Sequence, residues 1–212
     1  KIAWLNDLGG YYQVEEEILK QCEKTLFSLA QNKVAVEEIE PKANPYHLSN
    51  SWKILRSKSL YDEFLNYNLS SDEKILSVDW EIKNGQLVKE TDLEEALVWR
   101  SLWENEVNSI FKKYDYLALP VAQVYPFNKD IPYPSNINGK QMETYHQWMD
   151  IVVLSSILGL PTISVPVGLN RNGLPMGMQI IGKRKSDIDL IAFAKKYETI
   201  FSCSEIVPQK FN

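Results

Sequence analysis

The residues of this 212-residue chain that could perform nucleophilic chemistry are few. Ser109 and Lys112 match S-x-x-K, a spacing that puts a serine nucleophile and a lysine base on one face of a helix. The companion motifs S-D-N and K-T-G do not occur in the sequence. We therefore expect Ser109 to be an ordinary residue near the end of a helix.

The remaining serines and the histidines also lack the partners that catalysis requires. Ser155 and Ser156 lie in an apolar segment, where we expect their hydroxyls to bond backbone carbonyls. His47 and His146 are the only histidines, and no His, Cys or carboxylate cluster has the spacing of metal ligands. The sequence therefore predicts no metal site, no cofactor and no catalytic residue within the chain.

The charge and composition of the chain argue against two classes of binding partner, nucleic acids and membranes. The net charge is −5, and the sequence lacks the clustered Lys and Arg that phosphate binding requires, so we expect no nucleic-acid partner. No apolar run approaches the roughly 20 residues of a membrane span. Cys22 and Cys203 are far apart in sequence, and we expect free thiols in a reducing compartment. These features favour a cytoplasmic protein that does not bind membranes.

Apolar periodicity predicts the elements that must position any site. In the first part of the chain it indicates strands at 2–5, 34–39 and 116–119, and helices at 14–30, 46–80 and 91–113. The Thr91-Asp92-Leu93-Glu94 sequence has the pattern of a capping box that opens the last of these helices.

The second part of the chain begins with a proline-rich segment, 121–140, that we predict to be a long loop. A helix at 143–158 and a helix from the Ser186-Asp187-Ile188-Asp189 capping box to Phe201 enclose two strands, 163–167 and 176–181. The order of elements predicts an α/β fold, with a mixed β-sheet covered by helices.

The stretch from Gly159 to Gly182 contains two Gly-Leu-Pro triplets, in GLPTISVPVG and in GLPMGMQIIG. This long pattern resembles the C-terminal part of the amidase signature family. Tyr116–Pro120 is similar to the family's strand that ends in a proline-containing loop, and residues 1–10 are similar to the strand and turn that follow its signature region. The resemblance covers nearly all of the chain and implies the C-terminal part of the amidase signature fold.

The resemblance implies hydrolysis of C–N amide bonds by a Ser nucleophile, a bridging Ser and a Lys base, without a cofactor. In the family, both serines lie in a Gly-Ser-rich signature, and no such run occurs in this sequence. We therefore expect 1–212 to be a C-terminal fragment whose catalytic residues lie upstream of residue 1, and to be inactive alone. The implied partner of the intact enzyme is a small linear or cyclic amide, such as a 6-aminohexanoate dimer.

The resemblance also implies that the region after the long loop faces the substrate. The candidate pocket residues are therefore Tyr145, Trp148, Met149 and Asp150, although the two aromatic side chains could equally belong to the core. We expect Gln179 and Thr162 to serve sheet and turn packing.

Two other functions remain open. One is the A subunit of a glutamine-dependent amidotransferase, which residues 145–150 favour less because they differ from the sequence expected of that branch. The other is a binding module without catalysis. If strands 163–167 and 176–181 have lost neighbours, their open edges also predict self-association.

Overall fold

The computed structural model describes residues 1–66 and 76–203. Contacts divide the chain into two compact units, one formed by residues 1–41 with the residues from Asn108 onward, and one formed by residues 42–107. Within residues 1–66 and 76–203, none of the helices combines the length and the apolar character that crossing a bilayer requires.

The first unit contains a five-stranded mixed sheet. The strands are β1 (Ile2–Trp4), β2 (Val36–Glu38), β3 (Tyr116–Pro120), β6 (Thr162–Leu169) and β7 (Pro175–Ile181). Their order in the sheet is β2-β1-β3-β7-β6. Strand β1 pairs in parallel with β2 and β3, whereas β7 pairs antiparallel with β3 and β6. The predicted mixed α/β sheet is confirmed.

Helices accompany this sheet. Helix α1 (Glu16–Gln31) buries Ile18, Cys22, Leu26 and Leu29 on one face and packs against β3, β6 and β7. Helix α5 (Val153–Leu158) follows a 3₁₀ helix (Gln147–Val152) and precedes β6, and helix α6 (Asp187–Phe201) packs against β6. The alternation of apolar residues correctly predicted α1, α6 and all five strands of this sheet.

The second unit is helical. It contains α2 (Pro45–Asn66), α3 (Leu76–Leu87) and most of α4 (Glu90–Ile110). Helices α2 and α3 pack tightly at Gly85, where an added Cβ would lie 2.0 Å from the Ser57 carbonyl oxygen. The single helical region predicted over 46–80 is thus two helices where it is described, and residues 67–75 lie outside the described residues.

Both capping boxes were wrong in detail. Helix α4 begins at Glu90, so Thr91 lies inside it, and the Lys89 N–H donates to Asp92 Oδ2 at 2.9 Å. Ser186 does occupy the N-cap position of α6, but its hydroxyl donates to the Lys183 carbonyl, outside the helix. Helix α4 also ends at Ile110, three residues before the predicted end.

The predicted long loop, 121–140, contains an element that the prediction missed. Strands β4 (Asn136–Ile137) and β5 (Lys140–Gln141) form an antiparallel hairpin. Its turn residues, Asn138 and Gly139, both have positive φ angles, 51° and 84°, as a two-residue hairpin turn requires. The Asn-Gly pair was therefore a local signal for this hairpin.

The predicted helix over 143–158 begins late. Residues 144–146 form a bend and a turn, and the regular structure starts at Gln147 as a 3₁₀ helix before becoming α5. The predicted pocket residues therefore lie in a turn and a 3₁₀ helix, with side-chain directions that differ from those of an α-helix.

Candidate functional site: an apolar cleft beside Trp148

The structure places the four predicted pocket residues in different environments. Tyr145, Trp148 and Met149 are half-buried, whereas Asp150 is buried, with 5% of its surface exposed. The Tyr145 ring lies edge-on to Trp148, with 6.2 Å between the ring centroids. Trp148 thus contacts Tyr145, and the surroundings of Trp148 define the candidate site.

Trp148 has two roles in packing. One part of the side chain contacts a small buried cluster formed by Val124, Ile137 and Met142. Another part lines an open cleft of about 510 Å³, a volume within the range of small-molecule sites. Of the four predicted residues, Trp148 is the one that reaches this cleft, so the alternative of core packing applies to part of the side chain.

The cleft has a wall and a floor from separate parts of the sequence. The wall is the segment after β3, where Phe127 lies edge-on to Trp148 at a centroid distance of 5.3 Å. The floor comes from β6 and β7. The full lining comprises Val121, Ala122, Val124, Tyr125, Pro126, Phe127, Trp148, Ser164, Pro166, Pro175, Met176 and Gly177.

Gln123 fixes the wall, and the sequence analysis missed it. This side chain is 2% exposed, and its Nε2 donates to the Gln13 carbonyl at 2.9 Å. The Ile151 N–H donates to its Oε1 at 3.2 Å, and the Glu15 N–H donates to its backbone carbonyl at 2.9 Å. Gln123 therefore joins the loop to residues 13–15, which precede α1, and to the 3₁₀ helix that carries Trp148.

Gln179 connects the floor to the same 3₁₀ helix. It is 1% exposed on β7, and its Nε2 donates to the carbonyls of Pro120 and Ile151 at 2.9 and 3.1 Å. The Ser155 hydroxyl lies 3.5 Å from Gln179 Oε1 and 3.3 Å from the Val152 carbonyl. The expectation that Gln179 and Ser155 serve packing and backbone bonding is confirmed.

Thr162 serves the turn before β6. The residue is exposed, and its hydroxyl donates to the Leu160 carbonyl at 3.2 Å. This confirms the expected role in turn packing.

Tyr125 acts as a neutral hydrogen-bond donor at the edge of the cleft. Its hydroxyl donates to Gln21 Oε1 at 2.8 Å, and its N–H donates to Glu15 Oε2 at 3.2 Å. Burial, followed by the nearby negative charge of Glu17, raises the pKa of the Tyr125 hydroxyl to about 12. The phenol therefore stays protonated at neutral pH and cannot act as a base there.

The structure supports the view that S-x-x-K is incidental. Ser109 is exposed in the last turn of α4, and Lys112 is exposed just after the end of that helix, whereas a lysine that serves as a base is normally buried. Cys22 is fully buried, and desolvation raises the pKa of its thiol to about 12. Among the described residues, no group of three or more His, Cys, Asp or Glu could hold a metal ion.

Comparison with known proteins identifies the family. The sequence profile described as Amidase matches residues 1–191. The chain belongs to the amidase signature family. The recognition drawn from the two Gly-Leu-Pro segments is confirmed.

Solved structures of amidase-signature enzymes share the fold of this chain. A bacterial aryl acylamidase of the family superposes with a TM-score of 0.85 at 22% identity, covering 96% of this chain and 44% of the other. 6-Aminohexanoate cyclic dimer hydrolase superposes with a TM-score of 0.80 at 17% identity, covering 100% of this chain and 47% of the other. At these identities the likeness shows the fold alone.

Sequence relatives of this chain include glutamyl-tRNA(Gln) amidotransferase subunits A. The protein from Sulfolobus acidocaldarius is 34% identical over 106 residues, which are 50% of this chain and 21% of that protein. The protein from Borreliella afzelii is 33% identical over 89 residues, which are 42% of this chain and 17% of that protein. The matched regions thus span about a fifth of these relatives, and this chain spans less than half of the structural neighbours.

Proposed function

We propose that this chain forms the substrate-binding part of an amide hydrolase whose Ser-Ser-Lys catalytic set comes from residues outside these 212. The observation that carries the proposal is the family match over residues 1–191 in a sequence that has no Gly-Ser-rich run. The cleft beside Trp148 supports it, because small-molecule sites are concave and mainly apolar.

The chemistry of amide hydrolysis explains why catalysis and substrate binding need different sets of residues. A serine hydroxyl is a weak nucleophile until a base removes its proton, and a buried lysine can be that base because burial disfavours its charged form. Backbone N–H groups then stabilise the oxyanion that develops on the amide carbonyl. In this proposal the residues of this chain bind and orient the substrate. Trp148 and Phe127 form the surface that contacts the substrate, and the hydrogen bonds of Gln123 and Gln179 hold that surface in place.

A fluorophosphonate probe that labels activated serines tests this function. The sample is the polypeptide that contains this chain together with the family's Gly-Ser-rich segment, digested and mapped by mass spectrometry. We expect the label on a serine outside residues 1–212. A label on Ser109, or labelling of the 212-residue chain alone, would contradict the proposal. Absence of any label would favour the non-catalytic binding module.

The sequence relatives favour a second candidate, the A subunit of a glutamine-dependent amidotransferase. Such a subunit releases ammonia from glutamine, whereas a general amidase hydrolyses unrelated amides. The two are distinguished by the ratio of glutamine turnover to turnover of a simple aliphatic or aryl amide. The proposed hydrolase predicts a preference for the simple amide, and a glutamine preference would favour the amidotransferase.

A further inference from the structure

The cleft beside Trp148 contains no charged side chain among the described residues that line it. From this we infer that it binds the uncharged, apolar part of the amide substrate, such as an alkyl chain or an aromatic ring, and excludes a charged end. The inference rests on the proposed function, because it names the substrate class for the same site.

The two hydroxyl groups of the lining differ in availability. The Tyr125 hydroxyl already donates to Gln21 Oε1 at 2.8 Å, and its pKa is raised. Ser164 lies on the exposed side of β6, at the floor. One serine hydroxyl cannot replace the hydration shell of an ammonium or carboxylate group, and burial of an unpaired charge is strongly unfavourable.

Residues 124–127 line two hollows of different character. One is the apolar cleft, and the other is a polar hollow that also contains Glu15, Glu17 and Arg171. Both carboxylates accept backbone N–H groups, Glu15 from Tyr125 at 3.2 Å and Glu17 from Arg171 at 3.5 Å. The wall therefore separates the charges from the cleft, which is the arrangement expected for an uncharged ligand.

The floor is closely packed at Gly177. At Gly177, an added Cβ would lie 2.6 Å from Ser164 Oγ and 3.0 Å from Val121 Cγ1. The absence of a side chain at Gly177 thus allows β6 and the segment after β3 to approach each other. Phe127 and Trp148 provide aromatic surface above this floor, and the edge-on arrangement of their rings is a favourable one.

The test compares hexanamide with 6-aminohexanamide, two amides of the same chain length that differ in a terminal ammonium group. Binding to the 212-residue chain is followed by NMR of methionine methyl groups, of which the chain has four. Met176 lines the cleft, and the fully buried Met178 is the internal reference. We expect hexanamide to shift the Met176 signal at a concentration at least tenfold lower than 6-aminohexanamide.

The variant Ser164→Asp places a carboxylate in the floor and should reverse this preference. The matched control is Thr162→Asp, two residues earlier on β6 and outside the cleft lining, which should keep the wild-type preference. If Ser164→Asp does not fold, Phe127→Asp replaces it, since Phe127 is 37% exposed. Equal binding of both amides, no shift of Met176, or no effect of the aspartate would overturn the inference.

A kinetic experiment separates this inference from the proposed function. The polypeptide that also carries the Gly-Ser-rich segment is assayed with acetamide, hexanamide and 6-aminohexanamide. Turnover with kcat/KM at least tenfold higher for hexanamide than for 6-aminohexanamide supports both. Turnover with no such preference overturns the inference alone. Absence of any turnover contradicts the proposed function, while the NMR preference for hexanamide would still support an uncharged ligand for the cleft.

Discussion

At the scale of single residues, Gln179 connects β3, β7 and the 3₁₀ helix through one buried amide group. Replacing it with Met removes the donor of two buried hydrogen bonds at similar volume. We expect the free energy of unfolding to fall by about 1–3 kcal/mol. Urea denaturation measures the change, and Thr162→Ala is the control because that exposed residue should alter stability by less than about 0.5 kcal/mol. Equal effects of the two substitutions would contradict the role assigned to Gln179.

Trp148 divides its surface between the buried cluster and the cleft, so its truncation should affect substrate choice. In the polypeptide that also carries the Gly-Ser-rich segment, Trp148→Ala should change the ratio of kcat/KM for a bulky and a small amide by about tenfold. The loss of stability should stay below the roughly 3–5 kcal/mol of a fully buried aromatic residue. A full loss of that size with an unchanged ratio would remove Trp148 from the site.

At the scale of elements, the junction between α1 and the cleft wall should be sensitive to alkaline pH. Burial raises the pKa of the Cys22 thiol from 9.0 to about 12 and that of the Tyr125 hydroxyl from 10.0 to about 12. At a pH between the unfolded and folded pKa of each group, the unfolded chain loses the thiol or phenol proton that the folded chain keeps. The free energy of unfolding therefore falls as pH rises from about 9 to about 12. Unfolding followed across this range should show a smaller decline for Tyr125→Phe than for the wild type. An equal decline for Tyr125→Phe and the wild type would show that the Tyr125 hydroxyl does not contribute to the alkaline loss of stability.

The sequence predicted those elements whose information is local. The apolar face of α1 and the alternating apolar segments of β6 and β7 give clear periodicities, and their positions were correct. The hairpin at Asn138-Gly139 was missed although its turn signal is local. The capping box at Thr91 was wrong because Asp92 accepts the Lys89 N–H instead, and the capping pattern fits either register.

The site was less predictable than the elements because its contacts join distant parts of the chain. Trp148 was predicted as a pocket residue through the family resemblance, whereas Phe127 and Gln123 were not predicted. The hydrogen bond from Gln123 to Gln13 spans 110 residues, and no local pattern encodes such a contact. Nothing in the sequence near Asp150 indicated that it would be buried while Trp148 reaches the cleft.

At the scale of the whole molecule, the described sheet has an open edge at β6. The expectation that 176–181 would also lack neighbours was wrong, since β7 lies between β3 and β6. Pro166 and a register irregularity before Gly168 interrupt pairing along β6, and Ile188 and Ile191 of the neighbouring α6 are 83% and 65% exposed. Open edges and exposed apolar side chains favour association.

We therefore predict concentration-dependent oligomers of the 212-residue chain. Sedimentation velocity over a wide concentration range should show them, and Ile191→Lys should shift the distribution toward the monomer. A monomer at every concentration for the wild type would indicate that the edge and the exposed residues do not support association.

In the proposed function, these 212 residues bind the substrate while the catalytic residues lie outside them. Amide turnover is measured for the chain alone, for a polypeptide carrying the family's Gly-Ser-rich segment alone, and for both parts together in one chain. We predict turnover with both parts together and none for the 212-residue chain, with or without Ser109→Ala. Turnover by the 212-residue chain that survives purification and is abolished by Ser109→Ala would contradict the claim.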